Sequence, residues 1–201
     1  MDTAAPTRKT LSERRGEELR LTIALTARDL FVAEESTSVT VERICDAVGI
    51  NPRTFHRHFP VKEDVIRPLL RRSESVIIEA LARTSPDADP IETLVMIFTT
   101  ELVQNSILHN DYRFMTLIVT NAPYRLRWQE WDEELCAPIT EFLSTRLHLS
   151  SDPFLRNLPA TLAIQTARQA LIYWVRGGTE DLDKLEDVLR GGMTALFSGY
   201  G

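Results

Sequence analysis

The 201-residue sequence is poor in cysteine, with only Cys45 and Cys136. Two cysteines without a CxxC motif or a cysteine–histidine cluster favour a reducing cytosol, and they indicate neither a disulfide framework nor a metal site. No stretch approaches the roughly 20 apolar residues that span a bilayer. The N-terminal segment also lacks the apolar core of a secretory signal. We therefore expect a cytoplasmic protein with no membrane partner and no metal or cofactor.

Residue sets that support catalysis are also missing. We find no nucleophile–base pair, no paired carboxylates and no metal-ligand cluster whose spacing brings the groups together. His109 with Asp111, and Cys136, are isolated candidates, which we interpret as surface polar groups and a buried thiol. The sequence does not predict an enzyme.

The net charge of −6 argues against nucleic-acid binding only until the chain is divided. Residues 1–72 carry 13 Lys and Arg against 11 Asp and Glu, whereas the remainder carries 10 against 18. Within 53–72 there are six basic residues and two acidic ones. Phosphate binding needs local positive charge, so DNA remains a candidate partner, although a solvated helix face can have the same composition.

Apolar residues recur at helical spacing along the whole chain, and nothing reads as a strand. The spacing predicts a first helix over about 12–33 and a short helix from an N-cap at Thr40 through Ala47. Gly49 then gives a turn, and another short helix follows Asn51, with Pro52 in its first turn. A longer helix is predicted over 61–83, kinked at Pro68.

Breaker residues at 84–90 separate this region from a more acidic one. Further helices are predicted over 91–109, 111–121, 128–148, 154–176 and 181–198. The fold class is therefore all-α, with about nine helices. We place the domain boundary in the long connecting helix. This gives an arm and DNA-binding domain over 1–63 and a helical domain over 64–201.

Two short helices around a glycine turn, the second exposing Arg, Thr and His, form a helix-turn-helix pattern. The run VTVERICDAVGINPRTFHRHFPVKEDV, residues 39–65, closely resembles the signature of the TetR family, and 19–67 resemble that family's DNA-binding head. The resemblance implies a homodimeric transcription regulator that binds an operator in double-stranded DNA and senses a small-molecule effector. The expected output is repression, relieved by the effector. The alternative is a helical ligand-carrier or protein-interaction module that keeps the motif only as a scaffold.

Roles in the motif follow from side-chain chemistry and from the resemblance. Arg53 can fork onto a guanine edge and is the expected base reader, while Arg57 can reach either a base or the backbone. Lys62 is expected to hold a phosphate. His56 stands where the family usually has a phosphate-contacting tyrosine. The full expected DNA-binding set is Thr40, Asn51, Pro52, Arg53, Thr54, His56, Arg57, His58 and Lys62, whereas Phe55 and Phe59 are expected in the core.

The second half contains enough aromatic and flexible side chains to wall an apolar or amphipathic effector pocket, although core packing explains most of them equally well. Arg168 lies on an apolar stripe. It is read either as an internal ion pair with a carboxylate such as Glu101 or Glu141, or as the counter-charge for an acidic ligand. The expected pocket residues are Phe98, Leu102, Phe114, Met115, Ile118, Trp128, Trp131, Arg168 and Tyr173.

Residues 122–128, together with the run NPRTFHRHFP, resemble a branch of the family that includes mycofactocin-associated regulators. That resemblance implies a bulky effector of the acyl-CoA kind. Arg113, Arg125 and Arg127 are then either phosphate partners or surface charges.

The last two predicted helices have apolar residues beyond a single stripe. Two apolar faces indicate two partners, of which one is the domain core and the other the same helices of a second subunit. The expected dimer interface comprises Leu162, Ala170, Trp174, Leu185, Leu189, Met193 and Phe197.

Overall fold

The structure, a computed structural model, describes residues 10–99, 112–178 and 180–198. Its described residues are almost entirely helical, which confirms the predicted fold class. The elements are α1 Leu11–Ala33, α2 Val41–Val48, α3 Pro52–His58, a 3-10 turn Lys62–Ile66, α4 Arg67–Arg83, α5 Pro90–Met96, α6 Tyr112–Thr120, α7 Ala122–Glu134, α8 Cys136–Ser144, α9 Pro153–Arg176 and α10 Leu182–Phe197.

Each helix of the head, α1 to α3, begins at a side-chain cap. Thr10 and Glu13 form a capping box at α1, and the Thr40 hydroxyl accepts from the Arg43 amide at α2. Asn51 accepts from the Thr54 amide at α3. Because these caps satisfy otherwise unpaired amides, the starts of all three helices are set locally.

The turn between α2 and α3 depends on Gly49, whose φ of 79° lies in the left-handed region. A side chain at that φ would be strained, so glycine allows the chain to reverse here. Ile23, Phe31, Ile44 and Phe55 from the three helices are all fully buried against one another. These residues belong to one apolar core that continues into the helical domain.

The predicted kink at Pro68 is wrong, because the segment 61–83 is not one helix. A 3-10 turn ends at Ile66, and α4 starts at Arg67, which places Pro68 in its first turn. Proline costs no hydrogen bond there, since the first amides of a helix have no intrahelical partner.

The predicted helix over 128–148 is also wrong in its boundaries. Helix α7 begins earlier, with Pro123 in its first turn, and α8 follows after a break at Leu135. Pro138 explains the break, because its ring would clash with the carbonyl of Glu134 if the helix continued.

Helix α9 packs against α6, α8 and α10, and α10 also packs against α5. The close approach of α9 and α10 centres on Gly192, where an added Cβ would lie 2.7 Å from Thr166 Cγ2. No helix within the described ranges is long and apolar enough to span a membrane.

The expected dimer interface requires correction. Most of its members are buried inside the single chain: Ala170, Trp174, Leu185, Leu189, Met193 and Phe197. Leu162 alone of the set is exposed, at 37%. The two apolar faces predicted for α10 are used against α9 and α5 of the same chain, so the buried stripe is core and not contact surface.

Candidate DNA-binding and effector sites

Helix α3 presents a polar face to solvent. Arg53, His56 and Arg57 are all exposed, and their i, i+3, i+4 spacing places them on one side of the helix. Phe55 and Phe59 are 0% and 2% exposed, as predicted, and their rings lie 5.3 Å apart. The two aromatic side chains therefore anchor α3 while the arginines remain free to approach a groove.

The remaining expected contacts at the starts of α2 and α3 act first as caps. Thr40 Oγ1 accepts from Arg43 N at 3.1 Å, and Asn51 Oδ1 accepts from Thr54 N at 2.8 Å. Thr40, Asn51 and Pro52 are exposed, and Thr54 is half-buried. The Thr40 hydroxyl keeps its proton for a phosphate, since it uses only a lone pair in the cap.

Lys62 has a different environment from the one expected. Its half-buried Nζ donates to the carbonyl oxygens of Thr37 and Val39, at 2.9 and 3.2 Å. These carbonyls lie in the loop just before α2. In this state the ammonium ties the 3-10 turn to the base of the motif, and two of its three donors are occupied.

His58 is half-buried and differs from the exposed His56. Burial, together with the positive charges of Arg20 and Arg57, lowers the pKa of His58. A neutral imidazole suits a packing role better than phosphate binding. Arg20 of α1 was missed by the sequence reading, because its position near His58 depends on how α1 and α3 are arranged in space.

Six of the expected pocket residues are brought together in the core of the helical domain and are at most 4% exposed: Phe98, Phe114, Met115, Ile118, Trp128 and Trp131. Leu102 lies outside the described residues. Tyr173 was placed wrongly in the pocket, because its side chain is on the surface and 68% exposed. Only its neighbour Trp174 faces inward, since adjacent helical positions point in different directions.

Arg168 forms an internal ion pair, which is one of the two interpretations made from the sequence, but its partner is Asp132. Arg168 Nη1 lies 2.8 Å from Asp132 Oδ2, and a second nitrogen donates to Gln165. Burial raises the pKa of Asp132 to about 7 in spite of the facing guanidinium. Of the partners named from the sequence, Glu141 pairs with Arg156 and Glu101 lies outside the described residues.

The other basic candidates lie apart from this core. Arg113 is exposed, Arg125 donates to the Val119 carbonyl at 2.8 Å, and Arg127 pairs with Asp64 at 2.7 Å. Cys136 is half-buried, with its Sγ 3.0 Å from Thr161 Oγ1. His109 and Asp111 are outside the described residues. The described residues also include no group of three or more His, Cys, Asp or Glu side chains able to hold a metal ion.

The fold and the site define a helix-turn-helix protein whose reading head is attached to a helical domain. Residues 23–68 match the family model of bacterial regulatory proteins of the tetR family. The regulator TcmR of Streptomyces glaucescens is 31% identical over 84 residues, which cover 42% of this chain and 37% of that protein. The sequence of the head thus matches the tetR family, and the recognition made from the sequence is confirmed.

Solved structures share the fold of the whole chain. FadR of Thermus thermophilus, a TetR-family repressor in complex with lauroyl-CoA, has a TM-score of 0.66 at 20% identity, covering 90% of this chain and 94% of that one. A TetR-family regulator of Syntrophomonas wolfei has a TM-score of 0.65 at 17% identity, covering 89% and 95%. At these identities the likeness extends the fold, and not the ligand, to this chain.

Proposed function

We propose that the chain is a ligand-responsive repressor that binds a palindromic operator as a homodimer and releases it when an effector occupies the helical domain. The observation that carries the proposal is the face of α3, where Arg53, His56 and Arg57 are exposed above two buried phenylalanines. An α-helix fits the major groove, where arginine discriminates guanine by a bidentate hydrogen bond.

The dimer is assigned to the outward face of α9 and α10. This face carries exposed Leu162, Tyr173 and Val188, at 37%, 68% and 37% exposure. A two-fold axis through this face would pair the same patch of each subunit. Two heads would then reach half-sites about 34–36 Å apart on one side of the duplex.

The effector is assigned to the interior of the helical domain, next to the buried aromatic residues of α6 and α7. An apolar or amphipathic ligand suits that lining. The lauroyl-CoA complex of the Thermus thermophilus relative supports an acyl-chain ligand as the first class to test. Because Trp128 and Trp131 are in this core, binding is expected to change tryptophan emission.

Selection from a pool of random duplexes tests the proposal. We expect the protein to enrich a palindrome whose two half-sites are separated by one helical turn. The Arg53→Ala variant should enrich sequences with one base of each half-site relaxed. Recovery of unrelated sequences by the wild type would refute the proposed function and favour the scaffold alternative.

A further inference from the structure

Four charged side chains form a closed ring between the segment 62–67, which follows the head, and α7. Asp64 Oδ1 lies 3.0 Å from Arg67 Nε and 2.7 Å from Arg127 Nε. Glu130 completes the ring, with its carboxylate oxygens 2.6 Å from Arg67 Nη2 and 3.2 Å from Arg127 Nη1. Each charge therefore has two neighbours of opposite sign, and two of the four bonds cross from the 62–67 segment to α7.

One pair of the ring, Asp64–Arg127, is shielded from solvent, whereas Arg67 and Glu130 are each 41% exposed. The side chains of Asp64 and Arg127 are only 14% and 19% exposed. Burial alone would raise the pKa of Asp64, but hydrogen bonds and charge from Arg67 and Arg127 hold it below its ordinary value. Loss of one member leaves its partners partly desolvated and without full charge compensation.

Helix α7 touches both halves of the molecule. Arg127 and Glu130 face the segment 62–67, while Trp128, Trp131 and Asp132 are buried in the helical domain. A displacement of the buried side of this 13-residue helix must therefore move its charged side. Helix α7 therefore connects the two domains in addition to α4.

Residues close to the ring also contact the loop that precedes α2, at the base of the helix-turn-helix motif. Asn121, just before α7, donates to Thr37 Oγ1 at 2.7 Å, and Lys62 donates to the Thr37 carbonyl at 2.9 Å. The Tyr124 ring packs edge-on against Phe31 of α1, with 5.5 Å between centroids. Thr37 lies three residues before the α2 cap at Thr40, so these contacts determine where the motif sits relative to α7.

We propose that the Asp64–Arg67–Glu130–Arg127 ring is a latch that holds the head in its DNA-binding orientation and that α7 opens it when its buried face moves. The DNA-dependent part of this inference depends on the proposed function. The ring members are positioning residues, since none of them lies on the exposed face of α3.

Hydrogen exchange of the full-length protein tests the latch without DNA. Arg127→Gln removes two of the four ion pairs, and we expect amides of α2 and α3 to exchange about tenfold faster, as for loss of hydrogen bonds to a charged group. Amides of α9 should change less than twofold. Arg156→Gln, which removes an arginine from an exposed pair with Glu141, is the matched control and should leave both regions unchanged.

Glu130→Gln provides a second variant, because its side chain is 41% exposed and we expect the neutral isostere to leave folding intact. Head exchange within twofold of wild type in both variants would overturn the proposal. Equal acceleration of α2, α3 and α9 would also overturn it, since the ring would then stabilise the whole fold and not the orientation of the head.

The DNA arm uses a duplex recovered by selection. Arg67→Gln and Glu130→Gln should each weaken binding, and the double variant should lose less than the product of the two effects, because both remove the same bond. The salt slope should stay that of wild type, since no phosphate contact is lost. Independent effects of the two changes would contradict the latch. If the wild-type protein does not bind DNA, the proposed function is refuted. The hydrogen-exchange experiment, which needs no DNA, still tests whether the ring holds the head in place.

Discussion

The two halves of the chain solve different physical problems. The head has short helices, each started by its own cap, and it places arginines on the surface of α3. The helical domain instead places its long apolar stripes inside, and several of its arginines pair with carboxylates, as in Arg168–Asp132 and Arg190–Glu92. The exposed arginines of α3 therefore lie on the half that we propose to meet phosphate, which an average over the whole acidic chain conceals.

The largest expected effect on stability comes from placing a charge in the buried apolar stripe of α10. Leu189 is 0% exposed, so Leu189→Asp should cost at least about 4 kcal/mol of unfolding free energy, because it removes packing and buries a carboxylate. Urea unfolding followed by tryptophan emission measures this loss. A folded variant that dissociates into monomers would instead return Leu189 to the subunit interface.

A charge on the opposite side of the same helix pair is expected to act on assembly alone. Tyr173 is 68% exposed, so Tyr173→Asp should keep the helical content while shifting the dimer to monomer, because two like charges would meet at the two-fold axis. Sedimentation velocity measures the mass. Ile78→Asp on α4, also at an exposed apolar position, is the control and should stay dimeric.

Two basic residues near the motif are expected to affect DNA binding differently, because Arg53 reads a base whereas Lys62 supports the helix-turn-helix motif. Arg53→Ala should lower discrimination at one operator base pair by about 1–3 kcal/mol. Lys62→Ala should weaken binding to all sequences with an unchanged salt slope, because its Nζ is bonded to Thr37 and Val39. Fluorescence anisotropy at several salt concentrations distinguishes them. A slope lower by about one for Lys62→Ala would show a phosphate contact after all.

The buried pair of the helical domain predicts a pH dependence of the free energy of unfolding. The folded pKa of Asp132, near 7, lies above the ordinary value, so the folded state binds more protons than the unfolded chain between about pH 4 and pH 7. The free energy of unfolding should therefore fall as pH rises through this window, by roughly 1 kcal/mol per pH unit. Asp132→Asn should lack this slope in urea unfolding at pH 5, 6 and 7, and parallel profiles would contradict the assignment.

The smallest effect concerns the turn after α1. Glu35 has a φ of 48°, in the region that favours glycine. Glu35→Gly should raise the free energy of unfolding by about 0.5–1 kcal/mol, because it relieves the left-handed strain of a side chain. Glu34→Gly, at a φ of −94°, is the control and should not stabilise. Calorimetry gives both changes.

How much of the structure can be predicted from the sequence depends on how far apart along the chain the interacting residues lie. Thr40, Gly49, Asn51 and Pro52 act within a few residues, so the head and its exposed face can be predicted closely. In the second half, Pro138 splits a helix that apolar periodicity alone would continue. Periodicity shows that Leu189 is buried but not by which partner, and nothing in the sequence brings Asp132 to Arg168 or Asp64 to Arg127.

The central claim, that α3 reads DNA from a dimer, is tested most directly by the affinity for a selected palindrome between 50 and 200 mM salt. With about 6–10 phosphate contacts, the affinity should fall by about 10³–10⁵ over this range while the palindrome stays preferred over a scrambled duplex. Arg53→Ala should keep the slope and reduce the preference, because one base pair of each half-site is no longer discriminated. Equal affinity for both duplexes, or affinity independent of salt, would contradict the account.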